Sequence, residues 1–272
     1  MKRMNEKGDA EMEESPIRVY DRAYFDQWLR ALQPDDPKRL WASFVARKGK
    51  PKFHFSFEVS SVYSSNIEGN SVDLNSYLRS KTNRAGQRFK REEIGEIDAL
   101  VDAYRFAKEH ALNEKNLLAA HSILSTPLLP KRQRGRYRNQ MIGVFSKGGL
   151  EYAAIEPQFV AAKMRELMDD VRGLRKMLSG AAETFYHAAL LHLSFVHIHP
   201  FDDGNGRTAR LLEKWFLASL PGSDAWHVQS EAYYREHLPE YYRNINLGLN
   251  YYVLRYERCV PFLTMLAKSL KA

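Results

Sequence analysis

Apolar residues recur three and four positions apart along most of the chain, the spacing of helices that turn one face to a core. Asp21 stands where it can cap a helix carrying Tyr24, Phe25, Trp28 and Leu29, and Asp35-Asp36-Pro37 can open a second with Leu40, Trp41, Phe44 and Val45. A third segment starts at Pro51, with Phe55, Val59, Val62 and Tyr63 as its apolar stripe and Gly69 as its stop. Ile94, Ile97, Val101 and Tyr104 mark a helix between Glu92 and His110, and Asn113 caps another that runs to Leu124 before Pro127 and Pro130. Glu156-Pro157 opens the longest helix, striped by Val160, Met164, Leu167, Met168, Val171, Leu174 and Leu178. Residues 182–197 are apolar nearly all round and predict a buried central helix. The next helix begins near Gly206, packs through Leu211, Leu212, Trp215 and Phe216 and stops at Pro221-Gly222; two or three Tyr-rich helices follow. The strand signal occurs once, where Met141, Ile142, Val144 and Phe145 lead into Ser146-Lys147-Gly148-Gly149 and residues 150–155 return. The pattern predicts an all-α fold with one small β-hairpin.

Composition narrows this little. The 272 residues suffice for one large domain with its own core, and 44% hydrophobic with 12% aromatic content excludes wholesale disorder. Residues 1–15 carry charges and almost no large apolar groups, which predicts a flexible tail. Helices over 16–90, a core over 91–220 and C-terminal helices over 221–272 complete the organisation. No run of about 18 apolar residues predicts a membrane span, and the charged start lacks the apolar segment of a secretion signal. The single cysteine, Cys259, cannot form an internal disulfide, and together these features predict a cytoplasmic protein. The net charge of +8 is compatible with nucleic acid, a membrane surface or a polyphosphate ligand and selects none of them. The basic run 131–138 lacks an aromatic stacking platform, which counts against an RNA patch.

The chemistry is concentrated in His199-Pro200-Phe201-Asp202-Asp203-Gly204-Asn205-Gly206-Arg207-Thr208-Ala209-Arg210. Pro200 biases His199 away from the helical region, so the preceding helix ends there and the imidazole stands at its rim. Gly204 and Gly206 allow positive φ and close backbone approach, so successive N–H groups can form an anion cradle at the start of the next helix. Arg207 and Arg210, three apart, share a face that can fork onto phosphate oxygens. Asp203 offers a hard oxygen ligand suited to Mg²⁺. Each part alone is commonplace: a helix stop, a turn, a solvated helix face. Their convergence within twelve residues is not.

This run resembles the Fic family signature, His-Pro-Phe-x-Asp/Glu-Gly-Asn-Gly-Arg-x-x-Arg, at every specified position, and the likeness extends over about 92–250. The resemblance implies a Fic-type helical bundle and transfer of AMP from Mg-ATP to a Ser, Thr or Tyr hydroxyl of a target protein. It makes His199 the base, Asp203 the magnesium ligand, and Gly204, Asn205, Gly206 and Arg207 the phosphate holders, with Arg210 on the γ-phosphate. Tyr241 and Tyr242 would line the adenine side and Asn250 would contact the nucleotide. The hairpin 139–155, with Val144, Phe145 and Ser146, would be the flap that pairs with an unidentified protein substrate. Ser64-Ser65-Asn66-Ile67-Glu68-Gly69 resembles the family's inhibitory helix, about 54–68 here, whose glutamate pairs with the second arginine. Glu68 also breaks a local rule, as a carboxylate at the negative end of a helix.

Alternatives stay open: AMP removal using Glu68, a kinase-like relative, or an idle module that binds nucleic acid. The kinase-like subgroup has Lys where this chain has Gly206, and that favours AMP transfer. His187, His192 and His197 fall five apart and do not share a helix face, so a metal cluster is not expected. No membrane partner is expected, nucleic acid is disfavoured, and a homodimer is left open.

Overall fold

The computed structural model describes residues 17–47, 55–82, 91–146, 148–178, 180–218 and 224–271. In chain order the elements are α1 (Phe25–Ala31), α2 (Pro37–Ala46), α3 (Ser56–Ile67), α4 (Leu74–Lys81), α5 (Arg91–Glu109), α6 (Glu114–Leu124), β1 (Gly143–Ser146) and β2 (Gly149–Ala153). Then follow α7 (Pro157–Met177), α8 (Ala181–Ile198), α9 (Asn205–Leu217), α10 (Ser230–Glu236), α11 (Leu238–Ile245) and α12 (Val260–Lys268), with short 3₁₀ turns between the last helices. The architecture is the all-α bundle with one hairpin that the pattern predicts. The expected tail over 1–15, the helix start at Pro51 and the stop at Pro221-Gly222 lie outside the described residues.

The apolar segment around 182–197 becomes α8, buried on every side, with Phe185, Leu190, Leu191, Leu193 and Phe195 fully enclosed. Helices α7, α9 and α12 pack around it, and α5 and α6 lean on α9. Asp36 and Asn113 accept backbone N–H bonds from Lys38 and Asn116 and cap α2 and α6. Asp21 does not cap α1. Its carboxylate takes the Ala23 N–H at 2.7 Å, forming a turn, and the helix begins four residues later at Phe25.

The larger departure is α3. The spacing of Phe55, Val59, Val62 and Tyr63 predicts an apolar inner face, yet Phe55 is exposed, and the buried positions are mostly serines: Ser56, Ser60, Ser61, Ser64 and Ser65. Val62 alone of the predicted stripe is fully enclosed, in a side cluster with Val72, Tyr77, Ile97 and Val101 from α4 and α5. The face turned to α9 is polar because α9 presents buried cations there. Lys214 Nζ donates to Ser60 Oγ at 2.6 Å and to Glu231 at 2.7 Å, and the Tyr104 hydroxyl donates to the other Glu231 oxygen at 2.5 Å. Lys214 and Glu231 both have no exposed side-chain surface.

An ion pair enclosed in this way is costly to break from one side, because the remaining charge is stranded. Lys214→Met is therefore expected to lower unfolding stability by about 3–5 kcal/mol. Lys271→Met, which removes the solvent-exposed pair with Asp35, should cost less than about 1 kcal/mol. Urea denaturation of the two variants checks the contrast, and equal losses would overturn it.

Candidate functional site

Helix α8 ends at Ile198, and His199 takes φ 51°, ψ 62°, a left-handed conformation that non-glycine residues adopt only when held. Arg138 holds it. Its Nε donates to the His199 carbonyl at 2.7 Å, Nη2 to the carbonyls of Ile155 (2.5 Å) and Ile198 (3.3 Å), and Nη1 to that of Gln140 (2.9 Å). One buried guanidinium thus places its charge at the negative end of α8 and ties both hairpin stems to it. The His199 imidazole is half-buried, with Nδ1 facing the Val196 carbonyl at 3.3 Å. Nδ1–H is then the donor, and Nε2 carries the lone pair. Burial pushes this imidazole down to about 4, so it is neutral at physiological pH.

The loop that follows is locked by Asn205. Its side-chain oxygen accepts the Phe201 N–H at 2.9 Å, and its amide nitrogen donates to the Phe201 carbonyl at 2.8 Å. The side-chain amide is thus committed to the loop through its oxygen and one of its two N–H groups. Gly204, at φ +79°, is the left-handed residue the turn needs. Gly206 is not; it lies within α9 without positive φ, contrary to expectation. Its lack of a side chain serves close approach instead, since a Cβ there would stand 2.3 Å from Glu68 Oε1. Asp203 is exposed, with Oδ1 accepting the Gly204 N–H at 2.6 Å.

Both arginines of the motif already hold carboxylates. Arg210, with no exposed surface, donates from Nη2 to Glu68 Oε1 (2.7 Å) and the Ser64 carbonyl (3.1 Å), from Nε to Ser64 Oγ (2.8 Å), and from Nη1 to the Tyr241 hydroxyl (3.2 Å). Arg207 donates from Nη2 to Glu96 Oε2 at 2.9 Å, while its Nε is buried with no partner. Desolvation would raise the Glu68 carboxyl, but the charge and hydrogen bond of Arg210, aided by Arg207 and His199, outweigh it and leave Glu68 below the ordinary carboxylate range. Gly69, at φ +99°, ends α3 one residue beyond.

The remaining expectations divide. Tyr241 does not line an open pocket: it is buried, and its hydroxyl accepts from Arg210 and donates to His192, whose Nδ1–H reaches Glu213 at 2.8 Å. Tyr242 is half-exposed and donates to the Ile67 carbonyl at the end of α3. Asn250 caps a 3₁₀ turn through the Tyr252 N–H, and its backbone bridges Ala153 of β2. Its side chain therefore has a structural task beside the hairpin. Val144 and Phe145 are exposed on β1, and Ser146 pairs with Gly149 across the turn. Pairing begins at Gly143, so Met141 and Ile142 lie in the stem. His187 and His197 meet separate partners, Val19 for the first and Tyr256 and Ile245 for the second.

Sequence reasoning missed Arg138, Glu96 and His121. His121 stacks on Phe201 (centroids 3.6 Å apart, planes 7° from parallel), accepts the Gly135 N–H on Nδ1 at 3.0 Å, and so donates from Nε2 to the Asp203 carbonyl at 3.0 Å. It joins α6, the basic loop and the turn that carries Asp203. A signal existed only for Gly135, whose φ of +64° and 2.6 Å approach to the Leu118 carbonyl exclude a side chain.

Residues 111–217 match the model of the Fic/DOC family. The chain resembles the protein adenylyltransferase fic-1 of Caenorhabditis elegans, 30% identical over 156 residues, and the protein adenylyltransferase Fic of Drosophila willistoni, 29% identical over 184. These alignments take in 54% and 65% of the chain but only 28% and 34% of the relatives, so the chain spans about a third or less of their length. Among solved structures, a Fic family protein from Desulfovibrio desulfuricans superposes with a TM-score of 0.73 at 20% identity, over 95% of this chain and 74% of that one. Fic-1 from C. elegans does so at 0.64 and 22%, over 92% and 70%. The fold is the one those solved structures share, and the family match lies in the segment that carries the histidine-to-helix loop. No helix among the described residues is long and apolar enough to cross a membrane.

Two measurements test this geometry. His121→Phe keeps the ring stack but strands the Asp203 carbonyl and Gly135 N–H, and should cost about 1–3 kcal/mol of stability; His121→Gln, which can donate and accept, should recover part of it in urea titrations. His121 and His197 are both buried and held at about 4, against about 6.5 when unfolded. Because folding lowers both values, their contribution is complete above about pH 6.5 and is lost as pH falls toward 4. These two groups give a slope of about 2 kcal/mol per pH unit near pH 5. Urea midpoints unchanged between pH 7 and pH 5 would contradict this.

Proposed function

We propose that the chain is a protein adenylyltransferase whose active site is His199 to Arg210 and whose ground state is autoinhibited. The observation that carries the reading is the juxtaposition of a neutral imidazole, its Nε2 lone pair unengaged, with the N-terminus of α9. The names of the relatives support it, and so does the fit of the site to a triphosphate. Backbone N–H groups of Asn205, Gly206 and Arg207 open a helix at its positive end, with Gly204 as its cap, and the buried Nε of Arg207 is a donor without an acceptor.

In this reading the acceptor hydroxyl oxygen attacks the α-phosphorus of ATP. The new O–P bond forms as the bond from that phosphorus to the oxygen bridging the β-phosphate breaks, and pyrophosphate leaves. The hydroxyl proton passes to His199 Nε2. An imidazole held near 4 is a weak base, so it takes the proton late, when the attacking oxygen has become acidic. Nδ1–H on the Val196 carbonyl keeps Nε2 as the proton acceptor throughout. Asp203, exposed at the turn, would hold Mg²⁺ together with phosphate oxygens, and the metal would neutralise charge on the leaving pyrophosphate.

Glu68 supplies the inhibition. Its carboxylate lies against Gly206 at the start of α9 and occupies the guanidinium that would hold the γ-phosphate. A polyanion entering this site meets a fixed negative charge and an Arg210 with four of its five N–H groups already engaged. Ser64 and Gly69 set the position of Glu68, the first through two bonds to Arg210 and the second by ending the helix.

Glu68→Gly is expected to raise AMP incorporation, on the chain itself or on an added protein, by about 10- to 100-fold. His199→Ala in that background should lower it about 100-fold or more. Intact-mass spectrometry after incubation with Mg-ATP reads both, since addition of AMP, addition of phosphate and no change give different masses. Equal AMP addition with and without Glu68 would remove the inhibitory reading. A phosphate adduct would replace AMP transfer with kinase-like transfer.

A further inference from the structure

Behind Arg210 lies a run of enclosed polar side chains that the proposed chemistry does not use. Arg210 Nη1 donates to the Tyr241 hydroxyl at 3.2 Å, and that hydroxyl lies 3.0 Å from His192 Nε2. His192 Nδ1 lies 2.8 Å from Glu213 Oε2, which also accepts the Tyr234 hydroxyl at 2.8 Å. His192 and Glu213 have no exposed side-chain surface. The other carboxylate oxygen, Glu213 Oε1, is buried without a partner.

The direction of every bond in this run follows from its first member. A guanidinium only donates, so the phenol oxygen accepts from Arg210 and its single proton must go to His192 Nε2. Nδ1–H then faces Glu213. A protonated imidazole would set two donors on the phenol oxygen and leave the phenol proton without an acceptor. Glu213 is thus a buried carboxylate held by two neutral donors, in no ion pair with a lysine or arginine among the described residues. A charge so enclosed needs an opposite one, and the bonds lead from it to Arg210. Two buried charges are joined through an imidazole and a phenol.

The bonds of Arg210 divide between two elements. Three of the four end on Ser64 and Glu68, the stretch of α3 and its cap that carries the proposed inhibition. Tyr241, on α11, supplies the fourth. It does not depend on α3 for its place: His192, on the central helix α8, fixes its hydroxyl. The rings of Tyr234 and Phe262 stand edge-on to His192, with centroids 5.8 and 5.1 Å away, and hold the imidazole plane. We infer that Tyr241 and His192, backed by the Glu213 carboxylate, are positioning residues that keep the Arg210 guanidinium in place for a terminal phosphate when Glu68 releases it. The identity of that anion, the γ-phosphate of a nucleoside triphosphate, rests on the adenylyltransferase reading. These residues act through Arg210, so they govern affinity for a triphosphate and leave a monophosphate indifferent.

The test is calorimetric titration of the full chain carrying Glu68→Gly with two Mg²⁺-supplemented probes, AMP and an ATP analogue with a methylene bridge between its α- and β-phosphates. His192→Phe keeps a ring among the aromatics but gives the Tyr241 hydroxyl no acceptor. It should weaken the analogue about tenfold and AMP less than about twofold. His192→Gln, whose amide donates toward Glu213 and accepts from Tyr241, should bring the analogue back to within about threefold. Tyr241→Phe, which deletes one hydroxyl and keeps the packing, should show the same split, and AMP binding marks a folded site in each variant. Equal weakening of both probes would assign a structural role and overturn the inference. Unchanged analogue binding, or no recovery with glutamine, would overturn it as well. An analogue bound no more tightly than AMP before His192 or Tyr241 is changed would deny Arg210 its phosphate and overturn the inference, while AMP transfer seen by mass would still stand. The expected split without AMP transfer by any variant would uphold the positioning and remove the adenylyltransferase reading on its own.

Discussion

Arg210 carries a full positive charge and no exposed surface, and the site is built around satisfying it. A charge so enclosed survives only with near-complete hydrogen bonding. Each of its three nitrogens has a partner, drawn from Ser64 and Glu68 on α3 and Tyr241 on α11. Through Tyr241 the chain of bonds continues to His192, to Glu213 and to the Tyr234 hydroxyl. Three helices remote in sequence are therefore positioned by one guanidinium. Its charge in turn is placed by α9, one turn in from the start of that helix at Asn205.

The same arrangement explains why α3 meets α9 through polar groups. Ser56, Ser60, Ser64 and Glu68 stand four apart along one face and meet His227, Lys214 and Arg210 in turn. Apolar side chains there would strand two cations, and longer polar ones would not fit beside them. Serine is short and both donates and accepts, so it fills the seam at low steric cost. Such a seam contributes less net stability than an apolar interface, because each bond replaces one to water. It specifies register instead: a shift of one residue would misalign every donor. Glu68 is delivered to Gly206 by that register, not by any contact of its own loop.

Much of this was legible in the chain. Periodicity located α2, α5, α6, α7, α8 and α9 because each buries a conventional apolar stripe or, for α8, its whole surface. The twelve residues from His199 to Arg210 were legible as a unit because the histidine, the turn and both arginines stand on consecutive elements. Glu68 could be flagged because it violated the preference at a helix end. The buried face of α3 could not. Serines at four-residue spacing read as solvent-facing until the cations opposite them are known, and those lie about 150 positions further along. Arg138 was hidden for the opposite reason: it sat among other basic residues, and nothing local separates the one enclosed guanidinium from its exposed neighbours. Tyr241, placed on the adenine side by the resemblance, is buried with its hydroxyl completing the shell around Arg210, a task its sequence neighbourhood does not announce.

In the proposed adenylyltransferase reading, the two carboxylates on the motif arginines would make different demands on an incoming triphosphate. Glu96 grips Arg207 from α5, a helix anchored in the core by Leu100, Ala103 and Tyr104, and leaves one buried Nε without a partner. That arginine can gain an acceptor without losing the one it has. On Arg210 four of the five N–H groups are engaged, and Glu68 also stands against Gly206 at the start of α9, so a phosphate bound there would compete with Glu68 for the guanidinium. The exchange is of one anion for another on a cation that must stay paired, and Arg210 can remain paired in either state. The guanidinium alone therefore gives little bias. In that reading, selection between the two states would fall to the start of α9 and the register of α3. The proposed inhibition would then be controlled from the serine seam, where small changes in helix position would decide which anion occupies the start of α9.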